Sequence, residues 1–142
     1  MMQKYLIRLS PGILSSIVII AILWLTLAPH PLPDNDISLF PGADKIVHAL
    51  MFGTLAFTLA LDKELYKQRL YEQTRRMPRD RGRRPLLLIA VAATLFGGLI
   101  ELLQAAMNLG RGCELMDFVA DAAGAFSGVA VSPLLITLLL RR

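Results

Sequence analysis

The stretch Leu86–Met107, LLLIAVAATLFGGLIELLQAAM, decides how this chain is read. It runs without a charge from Leu86 to Ile100, and then Glu101 interrupts it. About 20 mainly apolar residues in a helix are enough to cross the hydrocarbon core of a bilayer, and this stretch has that length. Three others share its character: Gly12–Ala28, Ile46–Leu61 and Phe118–Leu140. The chain has 142 residues, 55% of them hydrophobic, and a mean hydropathy of +0.56. A soluble domain would have about 45–50% apolar residues, with charge scattered among them; here the charge is gathered into blocks. The sequence therefore predicts an all-α polytopic membrane protein, a single domain over 1–142. Its four transmembrane helices fall at about 12–28, 46–61, 86–107 and 118–140, and a basic cytoplasmic loop spans 62–85. The first span is at the lower limit of length, and the second needs its flanking residues to complete the crossing.

The basic residues orient these spans. Lys4 and Arg8 precede the first. Nine more, from Lys63 to Arg84, lie between the second and third, and Arg141 and Arg142 follow the fourth. Of the 15 basic residues, only Lys45 and Arg111 fall on the opposite side. Cytoplasmic loops collect Lys and Arg, so both termini and the 62–85 loop are expected inside (N-in/C-in). The 29–44 and 108–117 loops are then expected outside. The pI of about 9.6 reports this topology, and nucleic acid is not an expected partner. A cleaved signal peptide competes for the first span, which has a basic start and ends in Thr26-Leu27-Ala28. Against it, the apolar core is long for that role and Pro29 would follow the cut. The single cysteine, Cys113, allows no internal disulfide, and His30, between two prolines, reads as an ordinary loop residue.

The polar residues at the outward helix ends carry the functional reading. An ionisable group within a span is costly without a partner or a wet cavity. Asp44 is a plausible N-cap of the second helix, with Lys45 beside it. His48 follows at i+4, so Asp44 could orient its imidazole. Glu101 sits about 9 Å before the end of its span by helix rise. Gln104 shares its face, as do Gly97 and Gly98 one turn back. Gly110 and Gly112 bracket Arg111, whose guanidinium suits a carboxylate or phosphate. Asp117 is expected to cap the fourth helix. Asp121, Gly124 and Gly128 then form one stripe, polar at its outer end and small below it, suited to packing against the second or third helix. The candidate catalytic residues are His48, Glu101 and Asp121. The candidate binding residues are Asp44, Lys45, Gln104, Arg111 and Asp117. Such a set can titrate as a coupled cluster. One histidine among carboxylates is a sparse ligand set, so the sequence predicts no metal and no cofactor.

Asp44-Lys45-Ile46-Val47-His48, Glu101-Leu102-Leu103-Gln104, Arg111-Gly112, and Asp117 with Gly124 and Gly128 occur in that order. This pattern resembles the VanZ-like family of small bacterial membrane proteins, named for a member associated with teicoplanin resistance. The resemblance covers about Asp44 to Gly128. Where the family usually has Asn, this chain has Asp121, one more titratable acid. The resemblance implies a four-helix protein of the bacterial inner membrane, with an outward-facing polar motif working near cell-envelope precursors or lipids. It also implies an effect on glycopeptide antibiotic susceptibility.

Two functions follow from these residues. One is an enzyme acting on a membrane lipid or lipid-linked envelope precursor. His48 would then serve as acid or base and Arg111 would hold a phosphate or carboxylate. The other is a protein that binds or shields the same class of ligand without chemistry. A transporter is disfavoured, because no internal repeat is visible and four short helices leave little room for alternating access. The topology has a direct test. A cysteine placed at Asp34 should be labelled from outside intact cells, and one at Arg79 should not; the reverse pattern removes the outward-facing site.

Overall fold

The computed structural model describes residues 10–28, 42–76, 84–107 and 115–140. The regular elements there are helices: α1 (Ile13–Leu27), α2 (Ala43–Thr74), α3 (Arg84–Met107) and α4 (Leu115–Leu139). The all-α class is as the composition predicts. Helices α2, α3 and α4 are long and apolar enough to cross a membrane, while α1 has 15 residues. At a rise of about 1.5 Å per residue α1 is shorter than a hydrocarbon core of roughly 30 Å.

The outer surface is apolar. On α3, Leu88, Leu95 and Leu102 recur every seventh residue and are 68%, 66% and 65% exposed. The opposite face of α3 buries Ala90, Ala93, Gly97, Ile100, Glu101 and Gln104. Large aliphatic groups outside and small or polar ones inside is the arrangement that a lipid solvent favours.

Contacts between helix ends fix the relative directions of the helices. Lys45 near the start of α2 meets Asp117 near the start of α4. Gln104 near the end of α3 meets Thr26 near the end of α1. Ser15 near the start of α1 meets Asp62 in α2. The helices therefore alternate in direction, and α2 runs parallel to α4. One core cluster joins Ile22, Phe52, Leu55, Ala56, Ala90, Ala93, Ile100, Ala125 and Val129, with the Phe52 and Phe96 rings 6.2 Å apart. A second, of Ala60, Leu61, Leu65 and Ile136, lies toward the opposite end from Lys45.

The most extensive packing is between α2 and α4, and small residues make it possible. A Cβ on Gly124 would overlap the Ala49 backbone, and one on Gly128 would overlap the Gly53 backbone. One on Gly53 would lie 3.2 Å from the Gly124 carbonyl. The stripe Gly124–Gly128 thus seats α4 against α2. Farther along α4, Pro133 has no N–H to offer the Val129 carbonyl. The Ser132 hydroxyl donates to that carbonyl at 2.8 Å instead, which keeps the helix intact past the proline.

The structure corrects three expectations. The second helix does not end at Leu61: α2 continues unbroken to Thr74, and takes in Leu65–Glu72, the part of the 62–85 loop that the sequence offers as helical. Leu65 stays 3% exposed, and Glu64 and Lys67 pair at 3.3 Å along the helix. Apolar anchoring and local ion pairing both carry the helix onward. It stops at Arg75, whose φ of 54° is left-handed and whose N–H donates to the Tyr71 carbonyl. Second, Asp62 is buried, and its Oδ2 accepts from both the N–H and the hydroxyl of Ser15, at 3.0 and 2.7 Å. Third, Asp44 is not the N-cap of α2. Gly42 holds that position with φ 86°, where a Cβ is disfavoured, and Asp44 lies in the first turn.

The glycine contact makes a ranked prediction. Gly124→Ala and Gly128→Ala should each lower the thermal midpoint in detergent, on the scale of roughly 1–3 kcal/mol typical of overpacking. Gly53→Ala should cost less. Midpoints equal to wild type for the first two would mean that α2 and α4 do not touch backbone to backbone.

Candidate functional site

The α2–α4 contact places the polar residues above it. His48 immediately precedes Ala49, which faces Gly124, and Asp121 lies one turn before Gly124. With the backbones this close, the His48 Nδ1 sits 2.9 Å from the Asp121 Oδ1. Asp121 is 1% exposed. Its carboxylate also presses on α3, where a Cβ on Gly97 would overlap Asp121 Oδ2. Gly97 is therefore the notch that admits this carboxylate between helices. Glu101, 3% exposed, follows one turn later on the same face of α3. One donor atom each from His48, Glu101 and Asp121 lie within 4.8 Å of one another. Three helices thus bring three ionisable side chains to one point at one end of the bundle.

The Asp121 carboxylate accepts from Nδ1–H and fixes the tautomer of His48. Nε2 is then the nitrogen able to exchange a proton with a bound group. This corrects the expected pairing of His48 with Asp44. The Asp44 side chain is 52% exposed and accepts from Lys45 Nζ at 2.8 Å. The i+4 spacing allows an Asp44–His48 contact. However, a buried acid facing His48 from another helix competes with an acid at the wet end that already has a lysine.

The remaining candidates have separate places. Lys45 also donates to Asp117 Oδ1 at 3.2 Å, so it ties the first turns of α2 and α4 together. Asp117 is not the cap expected of it: α4 already begins at Leu115, and Asp117 lies inside its first turn. Gln104, which the sequence offers either as a ligand-binding residue beside Glu101 or as glue between helices, donates its Nε2 to the Thr26 carbonyl at 2.8 Å. That carbonyl belongs to the last turn of α1, where helix carbonyls lack intrahelical donors. The Gln104 amide is thereby a clasp between α1 and α3. Arg111 and Cys113 lie outside the described residues.

Sequence reasoning did not find the roles of Gly97 or Asp62. Gly97 lies one turn before Glu101 and reads as a small packing residue. Asp62 follows directly on an apolar run, and that position was the available sign of a buried acid.

Comparison with protein-family models, with curated proteins and with solved structures gave no match.

The His48–Asp121 bond has a spectroscopic consequence. In a His30→Gln background His48 is the sole imidazole of the chain. Its neutral ring should show ¹⁵N shifts of the Nδ1–H tautomer, and Asp121→Asn should abolish that preference while Asp44→Asn leaves it unchanged. A response to Asp44→Asn and none to Asp121→Asn would mean that the wrong carboxylate has been paired with the ring.

Proposed function

We propose that this is a VanZ-like protein of the bacterial inner membrane with both termini cytoplasmic. Its outward-facing polar site acts on or holds a membrane lipid or lipid-linked cell-envelope precursor. The observation that carries this reading is the buried His48–Asp121 bond with Glu101 beside it. Polar groups at that depth are costly to keep in a membrane protein and mark functional sites by default. His48 moves a proton through Nε2, oriented by Asp121, and Glu101 is the second titrating group. Arg111 supplies the guanidinium that holds a phosphate or carboxylate. An effect on glycopeptide susceptibility belongs to the same proposal and rests on the motif resemblance.

A second reading, binding without chemistry, draws support from a groove of about 730 Å³ along the α2–α4 seam. It runs from Lys45 past Ala49, Gly53 and Gly128 to Leu135. Its walls are mostly apolar, and Lys45 stands at the polar end. An acyl chain fits that chemistry. Both readings take the same class of ligand and differ in whether a bond breaks. Incubating the purified protein with a bacterial lipid extract, followed by mass spectrometry, separates product from retained lipid.

Glu101→Gln keeps shape and hydrogen-bonding capacity but removes the titrating group. The variant should insert and accumulate normally and lose function. Its thermal midpoint should match or exceed wild type, because a buried carboxylate carries a desolvation cost. Asp44→Asn should be mild. A Glu101→Gln protein that is abundant, stable and fully functional leaves the cluster without a functional role.

A further inference from the structure

We propose that His48, Glu101 and Asp121 bind one divalent transition-metal ion. The assignment rests on reading these three residues as a single site, and adds the ion that the site holds.

The first argument is geometric. Nitrogen and carboxylate donors bind such ions at about 2.0–2.2 Å, so two donors at right angles around the ion stand about 3 Å apart, and two on opposite sides about 4.2 Å. The His48 Nδ1 and Asp121 Oδ1 are 2.9 Å apart, the spacing of neighbouring ligands. One donor atom from each of the three residues lies within 4.8 Å of the others, so a small closing movement of side chains completes the set. The ion would replace the Nδ1 proton between imidazole and carboxylate, and that proton leaves to solvent as the ion binds.

The second argument is donor chemistry. Divalent transition-metal ions are held by imidazole nitrogen and carboxylate oxygen together, and this cluster supplies both. Asp121 and Glu101 are 1% and 3% exposed, in a bundle whose outer faces are apolar, and carboxylates buried in such surroundings are paired or coordinate metals.

The third argument is construction. Each ligand comes from a different helix; the backbone contact of Gly124 with Ala49 and the space that Gly97 leaves for the Asp121 carboxylate fix where Asp121 stands. A site held by packed helices needs little rearrangement to bind. One imidazole with two carboxylates favours Zn²⁺ or Mn²⁺ over Mg²⁺, which prefers oxygen alone. Three protein ligands leave coordination positions open, which suits a ligand carrying a phosphate or carboxylate.

The test uses the full chain, untagged, in detergent, stripped with chelator and titrated with Zn²⁺ and with Mg²⁺ for comparison. Wild type should bind about one Zn²⁺ per chain, with a rise in thermal midpoint and a weaker response to Mg²⁺. His48→Gln and Glu101→Gln should each weaken binding by at least about ten-fold, since even residues that only support a metal ligand cost 10–100-fold. Glu64→Gln, more than four turns along α2 from His48, should bind as wild type does. Absence of saturable Zn²⁺ binding by wild type, or equal affinity in His48→Gln and Glu101→Gln, overturns the proposal. If either variant fails to accumulate, electron paramagnetic resonance of Mn²⁺ on wild type decides: ¹⁴N coupling from one imidazole supports the site and its absence overturns it. Loss of function in Glu101→Gln, with no metal bound by wild type, overturns the metal and leaves the acid–base reading standing. Metal bound by wild type, with Glu101→Gln fully functional, does the reverse.

Discussion

Close contact between the backbones of α2 and α4 is the constraint on which the rest of the structure depends. Ala49 and Gly53 meet Gly124 and Gly128 at a separation that no side chain beyond hydrogen could occupy on Gly124 or Gly128. One turn farther along, that separation is what lets His48 reach Asp121 at 2.9 Å. Gly97 performs the same service on α3, where its missing Cβ leaves space for the Asp121 carboxylate. Without a hydrophobic drive between helices in lipid, association relies on such close packing and on buried hydrogen bonds. Here the two are adjacent. The glycines supply the packing, and the polar cluster sits where the packing is tightest.

Polar ties at both ends reinforce this arrangement. At the His48 end Lys45 bridges to Asp117, and Gln104 holds the final turn of α1. At the other end Asp62 receives two hydrogen bonds from Ser15. The short helix α1 is thus fastened near both of its ends, to α2 at one and α3 at the other. The Gln104 and Asp62 ties each satisfy a group that would be expensive in apolar surroundings, a helix-terminal carbonyl in one case and a buried carboxylate in the other. The same economy shows at Pro133, where Ser132 answers the carbonyl that the proline leaves without its helical donor.

Three ionisable groups from three helices give this bundle a chemistry that packing does not require. Asp121 orients an imidazole, and Glu101 places a second carboxylate within reach of it. The groove along α2 and α4 begins at Lys45, on the same end of the bundle. In the proposed lipid-binding reading, the ligand's chain lies along this mostly apolar groove and its head lies near the cluster.

The sequence by itself determined the helical class, the approximate helix positions and the identity of the polar residues. It did so because hydrophobic runs and interrupting charges are properties of the chain alone. The small stripe Gly124–Gly128 was likewise legible as a packing face. The length of α2 was not. Whether Leu65 and Asp62 are buried depends on Ser15 and Ile136, which are distant in sequence. Nor was the partner of His48. Spacing along one helix nominates Asp44, because local geometry always offers the i+4 neighbour. Only the tertiary structure sets a residue 73 positions away against the ring, in a buried place where its carboxylate outcompetes the exposed one. The role of Gln104 was decided in the same way, by an α1 carbonyl that no pattern within α3 could reveal.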